Sequence, residues 1–539
     1  MGTLLLSAQL LVVYVTIRSI GISSASPRVR DSPLSSLPVS LRETLSSKLT
    51  EPRTDSYSAS KPQIAASNRT DTPDGTFNNF PIYFKDGQHD PIHSSVQCVG
   101  ESYNTLAWIH RSCKFRHFCF DTVAQDFVIY QSKEEQVLQD AMHNRGQFHD
   151  ISNIMNVSVA IGGINTKWTW KSGVPRMEWF PKVIQGDLTE PYYELDPSVV
   201  WIPIHSLAGF NPGEFHFTYS HSHALSRGVK FILICNQISF TGHLVWDDFL
   251  PIYTLMRIFQ LYEGRQLMMM RYILKGPRMW ATCDFTQSNQ DLCNAMYKKF
   301  LPLMGMAADY FSTSEDFQFN VPKGKKSNLV CAAQGAAGVG MLTDHGKKLH
   351  GWEKTDYESV HNHGRGSLLF DFRNFMVANA GVALGPISPQ GPYKITVSYS
   401  SSKSTMRGFD FAKQVEALKN GLGDMVQVTV VMLKDLSAKE QVQLTAETSI
   451  FISSCGGGAM TATFLPQGAS VILYYPEKGG ARNNKSTGLP ALLDWDLFNN
   501  AAYIRAHWLP TSTMDEPGDL DILVKLVRHD LDLISHQIY

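Results

Sequence analysis

The chain has 539 residues, of which 43% are hydrophobic and 18% are charged, and its formal net charge is -1. This composition is typical of an ordinary globular protein and excludes a disordered or fibrous one. No overall excess of Lys and Arg exists to hold a polyanion, so a general nucleic-acid binder is excluded as well. The length allows two core-bearing domains with appendages.

Residues 1–23 predict a signal peptide or a signal anchor. The run Leu4–Ile17 is strongly apolar, but Arg18 interrupts it before a spanning length of about twenty residues is reached. Cleavage and retention as an anchor both stay open. Residues 24–79 are rich in Ser, Pro and Thr and predict a disordered stem. Whether the first segment is cleaved or retained, it is expected to deliver the rest of the chain to the secretory lumen. Sequons at Asn68, Asn156 and Asn484 agree with this expectation.

The cysteines favour disulfides over a metal site, because their number is even, no C-x-x-C occurs and the expected compartment is oxidising. The first cluster comprises Cys98, Cys113 and Cys119. We predict one bridge within this cluster and a second between Cys283 and Cys293. Cys235 and Cys331 lie in apolar surroundings and are interpreted as buried thiols.

Residues 80–388 are predicted to form an N-terminal α/β domain on the acceptor side, with a disulfide-bearing N-terminal region. Its first part, through Pro197, is aromatic-rich and irregular, with short strands such as Phe127–Tyr130 and Ser158–Ile161. The continuous apolar run Val229–Cys235 predicts a buried strand. A helix is expected to follow at Asp247–Tyr262.

Residues 389–539 are predicted to form a C-terminal α/β domain with a mostly parallel sheet, because strands and helices alternate along it. Ser437 and Glu440 form the sequence pattern of a capping box. The predicted elements are strands at Lys394–Tyr399 and Val426–Leu433, and helices at Asp410–Gly421, Ser437–Glu447, Leu492–Asn500 and from Asp519 onward.

A glycine-rich turn interrupts this domain. Ile450–Ile452 is a short buried strand, Gly456, Gly457 and Gly458 follow it, and a second strand is predicted at Ala469–Tyr475. Strand, glycine turn, short helix and strand make one half of a nucleotide-binding unit, in which a phosphate approaches the backbone and a helix N-terminus. A tight turn without a ligand is the alternative, and the glycines alone do not decide between the two.

A polar pair lies upstream in the segment TGHLVWDDFLPIY, residues 241–253. His243 and Asp247 are expected at a strand-to-helix turn, where ligands of open α/β sheets bind. An imidazole or a carboxylate can accept a proton as a general base. Helix capping or a core histidine is the alternative for His243, and a carboxylate that satisfies the helix dipole is the alternative for Asp247.

These two segments resemble the signatures of glycosyltransferase family 61. The C-terminal signature is H-G-A-x-L-T-N-x-x-F-L-P-x-G-A and a strand. Its F-L-P-x-G-A part and the strand stand intact as Phe464–Ile472, whereas its threonine-asparagine pair falls on Met460 and Thr461. The upstream segment is similar to G-H-x-x-x-D-x-x-L-P. The chain departs from the pattern at Cys455, where the family has histidine. The first of two family arginines is replaced near Tyr399, and Leu473 stands where a glutamate is frequent.

The resemblance implies a GT-B-like fold, with two Rossmann-like domains facing a cleft, and inverting sugar transfer in the secretory pathway. It implies His243 or Asp247 as the catalytic base, with Asp248 nearby. The donor-binding residues are then Lys403, Arg407, Cys455, Gly456, Gly457, Gly458 and Ala459. The donor is expected to be a UDP-linked sugar, bound as substrate without a further cofactor, although the departures leave the nucleotide open. The acceptor is a glycan or glycoprotein.

No metal site is expected. The pairs His221/His223 and His361/His363 lack a nearby third ligand and are interpreted as polar loops. The expected location is the Golgi or endoplasmic reticulum lumen, as a single-pass type II membrane protein if the first segment is retained and as a secreted protein if it is cleaved. A non-catalytic glycan-binding or nucleotide-sugar-binding pseudo-enzyme is the alternative function, supported by Cys455. A dehydrogenase is weaker, because no G-x-G-x-x-G follows a strand.

Overall fold

The computed structural model describes residues 72–77, 80–88, 90–99, 112–131, 181–204, 244–261, 266–271, 287–306, 311–313, 326–338, 365–383, 385–399, 409–476 and 492–536. All of them belong to one unit, Ala59–Tyr539. They form one eleven-stranded and one five-stranded sheet with helices, so the α/β class is confirmed. The GT-B arrangement and the boundary at residues 388 and 389 stay predictions. The segment Leu4–Ile17 lies outside the described residues.

The first sheet is mixed, and its central pair, β4 and β11, is antiparallel. The strand order is β1-β2-β7-β11-β4-β5-β6, with β3 also on β4 and with β8, β9 and β10 branching from β11. In chain order the strands are β1 (Gly75–Phe77), β2 (Phe80–Lys85), β3 (Ser95–Val99), β4 (Ser112–Asp121), β5 (Asp126–Gln131), β6 (Lys182–Gln185), β7 (Tyr192–Leu195), β8 (Val199–Ile204), β9 (Gln266–Arg271), β10 (Phe311–Thr313) and β11 (Leu329–Gly338).

One part of this sheet is parallel and is crossed over by helices. Strands β11, β8, β9 and β10 run parallel to one another in that order. In chain order, helix α1 (Leu250–Phe259) lies between β8 and β9, and α2 (Gln287–Phe300) lies between β9 and β10. This is the βαβ arrangement of an α/β domain. The antiparallel strands β1 to β5 lie in the region that the sequence predicted only as irregular with short strands, and β5 contains the predicted strand Phe127–Tyr130.

A disulfide between Cys119 and Cys331 corrects the interpretation of Cys331 as a buried thiol. The two cysteines are direct partners across the antiparallel pair β4 and β11, so their side chains face each other. Cys113 is disulfide-bonded too, and the residue opposite it on β3 is Cys98. The bridge within the first cluster stays a prediction, and the predicted Cys283–Cys293 bridge lies outside the described side chains.

The second sheet is entirely parallel, in the order β13-β12-β14-β15-β16. Apart from β16, which carried no prediction, its elements begin and end within a residue or two of the predicted ones, and the Ser437–Glu440 capping box is confirmed. In chain order after α3 (Gly366–Asn379) they are β12 (Tyr393–Ser398), α4 (Ala412–Leu422), β13 (Val426–Val431), α5 (Ala438–Ala446), β14 (Ile450–Ser454), a 3-10 helix (Ala459–Phe464), β15 (Ser470–Tyr475), α6 (Leu492–Asn500), β16 (Arg505–Pro510) and α7 (Pro517–Ser535).

Helix α7 packs against the second sheet. Its side chains at three- and four-residue spacing, Leu523, Val527, Leu531 and Ile534, are fully buried in the core. Each contributes about 2 kcal/mol by its removal from water. None of the helices in the described ranges is long and apolar enough to cross a membrane.

A buried carboxylate fixes α7 to the outer strand β16. The side chain of Asp530 is fully buried, and its Oδ2 lies 2.8 Å from Nε2 of His507, while Nε of Arg505 lies 3.7 Å from Oδ1. Burial alone would raise the pKa of Asp530. The hydrogen bonds from His507 and Ser470, together with the charges of His507 and Arg505, lower this pKa below its ordinary value.

We therefore predict that Asp530→Asn lowers the free energy of unfolding by about 2 kcal/mol at neutral pH, because it removes the charge that His507 and Arg505 face. The folded pKa is below the unfolded value of roughly 4. The stabilisation is thus present above that pH and is lost as the pH falls through the folded pKa. Denaturant unfolding at neutral pH and in acid measures both; an equal difference at every pH would contradict this assignment.

Candidate functional site

The glycine-rich turn lies at the topological switch point of the second sheet. Numbered by chain order, its strands are arranged 2-1-3-4-5, so the chain leaves β12 in one direction and β14 in the other. Connections that diverge in this way open a crevice beyond the carboxyl ends of the two central strands, which is where doubly wound sheets bind ligands. The turn Cys455–Gly458, here called the glycine turn, follows β14 directly.

The backbone of the glycine turn is held at both ends. The N–H of Cys455 donates to the carbonyl of Tyr474 at 2.8 Å, which extends the pairing of β14 with β15 by one residue. Gly456 then has φ 120, a left-handed conformation that residues with a Cβ rarely adopt. The N–H of Ala459 donates back to the carbonyl of Gly456 at 2.9 Å and closes the turn.

Buried hydroxyls lie beneath the glycine turn. Ser398 at the end of β12 and Ser453 near the end of β14 are paired across the two strands, and both are buried. A Cβ placed on Gly458 would lie 3.7 Å from the hydroxyl oxygen of each serine. Small polar side chains therefore pack beneath the glycine backbone at the carboxyl ends of the two central strands.

Three aromatic rings, Tyr399, Phe411 and Tyr474, form what we call the aromatic wall. The rings of Tyr399 and Phe411 are nearly parallel, with centroids 6.3 Å apart, and Tyr474 lies 5.4 Å from Phe411. The N–H of Tyr399 donates to the carbonyl of Val431 at 2.9 Å, which fixes its backbone at the end of β12. Burial raises the pKa of Tyr399, and Asp410 adds to the shift, so this half-buried ring is neutral at physiological pH.

The helix after the glycine turn differs from the expected one. It is a 3-10 helix of 6 residues, Ala459–Phe464. Such a short piece has poorer hydrogen-bond geometry than an α-helix and sums few peptide dipoles. Attraction of an anion to a helix N-terminus, which the sequence pattern predicted, therefore carries little weight here. The glycine backbone and its position at the switch point are the features that still favour binding of a phosphate.

Two buried side chains hold the carboxyl end of this 3-10 helix. The hydroxyl of Tyr503 donates to the carbonyl of Thr463 at 2.7 Å, and Nη2 of Arg373 donates to the carbonyl of Phe464 at 3.4 Å. Arg373 is 3% exposed, and burial lowers the pKa of its guanidinium, an effect that Tyr503 partly offsets. Carbonyls at a helix end lack intrahelical donors, so these two contacts satisfy them.

Helix α3 joins the two segments that carry the family resemblance. Tyr253 of the upstream segment packs on Phe372 of α3, with ring centroids 5.3 Å apart. Arg257 and Asp371 form an ion pair at 3.5 Å between α1 and α3. Because Arg373 on the same helix contacts the 3-10 helix, both segments pack against α3.

The other predicted residues of the upstream segment are described only in part. Asp247 lies within a π-helical turn, Leu244–Phe249, that leads into α1, so the helix begins earlier than predicted. Its side chain is not described, and His243 lies outside the described residues. Leu244 and Phe249 are buried in the core that also contains Cys455.

Lys403 and Arg407 lie in the segment 400–408, outside the described residues. Its two neighbours, Tyr399 and Phe409, are described and both pack against the core. The described chain on the far side of this segment lies close to the end of β12, since the ring of Phe411 packs on Tyr399. The histidine pairs at 221 and 361 also fall outside. Within the described part of the chain, no group of three or more His, Cys, Asp and Glu is placed to hold a metal ion.

Some residues of the site carried no prediction. Ser398 and Ser453 could have been found, because small hydroxyl residues end two buried strands in ITVS and IFISS. Arg373 and Tyr503 gave no local signal for this role, since the helix-end carbonyls to which they donate lie far along the chain. Comparison with protein-family models found no match, and no curated protein matched the chain either.

We predict that Tyr503→Phe lowers the free energy of unfolding by about 1–3 kcal/mol, because the buried carbonyl of Thr463 loses its donor. Tyr393→Phe is the matched control, since that hydroxyl also donates to a carbonyl at 2.7 Å, but at a partly exposed site at Pro389. Thermal and denaturant unfolding of both variants gives the comparison. Equal losses of unfolding free energy in the two variants would mean that the hydrogen bond to the 3-10 helix contributes no more than the one at Pro389.

Proposed function

We propose that the chain is a glycosyltransferase related to family 61, which transfers a sugar from a nucleotide-sugar donor to a glycan or glycoprotein acceptor with inversion and without a metal ion. The observation that carries the proposal is the position of the glycine turn at the switch point of a parallel sheet. The family-like motif and the crevice coincide there, although each was identified on separate grounds.

In this proposal the donor lies in the crevice beyond β12 and β14. A diphosphate would approach the backbone of Gly456 and Gly457, where no side chain stands in the way. Lys403 and Arg407 belong to the segment that begins at the end of β12, and their charges would offset the charge of the departing nucleotide. The ring of Tyr399 offers an apolar surface next to the same crevice.

Inverting transfer also needs a base that accepts the proton of the acceptor hydroxyl. His243 and Asp247 remain the candidates. Support comes from α3, which packs against α1, the helix that the Asp247 turn begins, and against the 3-10 helix that follows the glycine turn. Two segments held by one helix have a fixed relative position, as a donor site and a base require.

The proposed compartment is the lumen of the Golgi or endoplasmic reticulum. The Cys119–Cys331 disulfide supports it, because structural disulfides persist in oxidising compartments and are rare in the cytosol. Retention of the first 23 residues would make the chain a single-pass type II membrane protein, and their cleavage would release it.

A non-catalytic binding protein is the second candidate. Cys455 favours it, because this buried, non-disulfide cysteine stands where the family has histidine. Thermal shift with a panel of nucleotide sugars tests both candidates, since a ligand of the native state raises its apparent stability. An assay of nucleotide-sugar hydrolysis then separates them: turnover above background supports the enzyme, and binding without turnover supports the binding protein. No shift with any nucleotide sugar would contradict the enzyme and a nucleotide-sugar-binding protein, and would leave a glycan-binding protein as the alternative.

We predict that Gly457→Val weakens binding of the responsive nucleotide sugar by at least about tenfold, because a branched side chain at this buried position blocks the approach of the diphosphate. Gly458→Ala is the control, since its Cβ would make only ordinary contacts at 3.7 Å. Titration calorimetry measures both, and thermal unfolding confirms that each variant is folded. Unchanged affinity in folded Gly457→Val would show that the glycines serve packing alone.

We predict that Asp247→Asn, or His243→Ala if the imidazole is the base, lowers turnover by about a hundredfold or more while donor affinity stays near that of the wild type. Steady-state transfer and donor titration give the two quantities separately. A parallel loss of donor affinity would assign the residue to the donor site or to structure. Normal turnover in both variants would make Asp248 the next candidate.

A further inference from the structure

The glycine turn and the aromatic wall lie on opposite faces of the second sheet. Ser398 and Tyr399 are consecutive at the end of β12, and successive side chains of an extended strand point to opposite faces. The hydroxyl oxygen of Ser398 lies 3.7 Å from a Cβ placed on Gly458. The ring of Tyr399 packs instead on Phe411, which precedes α4. The glycine turn therefore covers one face at the end of β12, and the aromatic wall covers the other.

The direction of the chain connections gives the same result. From β12 the chain passes through α4 to β13 on one side, and from β14 it passes through the 3-10 helix to β15 on the other side. These strands are parallel, and crossovers between parallel strands are right-handed in nearly every protein. Right-handed crossovers in opposite directions place α4 and the 3-10 helix on opposite faces. A ligand in the crevice beyond β12 and β14 thus lies between the glycine turn and the aromatic wall.

Tyr399 is the accessible ring of the aromatic wall. Phe411 and Tyr474 are buried, whereas Tyr399 is only partly buried. The planes of the Tyr399 and Phe411 rings differ by only 8°, so a buried ring supports the accessible one. A ring fixed in this way is a rigid surface on which another flat ring can stack with little loss of conformational entropy. A phosphate gains nothing there, because the face of an aromatic ring carries partial negative charge.

Helix α3 decides which end of a nucleotide sugar reaches Tyr399. It contacts the 3-10 helix through Arg373 and packs on the upstream segment through Phe372. The upstream segment, which carries the proposed proton acceptor, thus lies on the side of the sheet that the 3-10 helix covers. The transferred sugar must come close to that proton acceptor. The nucleobase is at the other end of the diphosphate, so its place is on the opposite side, at the aromatic wall.

We propose that Tyr399 is the surface on which the nucleobase of the donor stacks, while the diphosphate lies at the glycine turn. This inference rests on the proposed function and assigns the two ends of its donor site. Every nucleobase can stack on a ring, because each has an aromatic face. Tyr399 therefore contributes affinity for nucleotides and does not by itself select one of them.

Titration calorimetry on the purified full-length chain tests the proposal. The probe is whichever of UDP, GDP, CDP and ADP raises the melting temperature of the wild type most. Tyr399→Leu keeps an apolar side chain but removes the ring, so it should weaken binding of this probe by at least about fivefold. Tyr399→Phe keeps the ring and should bind the probe within about twofold of the wild type. Trp508→Leu is the matched control on the outer strand β16, where the ring packs on Trp495 with centroids 5.2 Å apart, and it should leave the affinity within about twofold.

Saturation-transfer NMR of the wild type gives a direct readout that does not depend on the folding of Tyr399→Leu. Protons of the nucleobase should receive more saturation from the protein than protons of the ribose, and Tyr399→Phe should keep this pattern. The opposite pattern, or unchanged affinity in folded Tyr399→Leu, would overturn the inference and leave the donor site in place. A loss of affinity for the nucleotide sugar alone, without a loss for the diphosphate probe, would assign the ring to the transferred sugar and also overturn it. No shift with any of the four probes would contradict the proposed transferase and this inference with it.

Discussion

The candidate site depends on two hydrogen-bond donors that come from outside the 3-10 helix next to the glycine turn. A six-residue 3-10 helix cannot hold its own carboxyl end, so its position follows from Arg373 on α3 and Tyr503 before β16. Those contacts hold the carboxyl end of the helix, while its first residue, Ala459, closes the glycine turn. A buried guanidinium is costly to leave without acceptors. The same contact therefore stabilises α3 and the turn together.

The parallel sheet could be predicted because its information is local. Buried strands such as β14 are continuous apolar runs, the capping box marks the start of α5, and the period of Leu523, Val527 and Leu531 marks α7. The glycine turn between β14 and β15 was predicted for the same reason. The sequence pattern did not, however, predict the order of the strands in the sheet. The switch point became visible only when β12 was found between β13 and β14.

The mixed sheet could not be predicted in the same way, because its strands pair with strands that are far away in the sequence. Cys119 and Cys331 are 212 residues apart in sequence, yet they face each other across β4 and β11. Nothing near Cys331 distinguishes it from a buried thiol. Arg373 is likewise far in sequence from the end of the 3-10 helix that it caps. A buried arginine whose acceptors are a backbone carbonyl and a neutral amide, that of Asn374, leaves no acidic partner in the sequence for a pattern to detect.

The departure at Cys455 changes how a donor site at this turn would work. An imidazole can donate a hydrogen bond and carry positive charge, whereas a thiol behaves as a small apolar group with a weak donor. Cys455 is 6% exposed, and its backbone N–H is already bonded to Tyr474. Neutralisation of a diphosphate would then fall to Lys403 and Arg407, on the segment after β12. In the proposed function the turn supplies close approach and the neighbouring segment supplies charge, two tasks that a histidine at position 455 would combine.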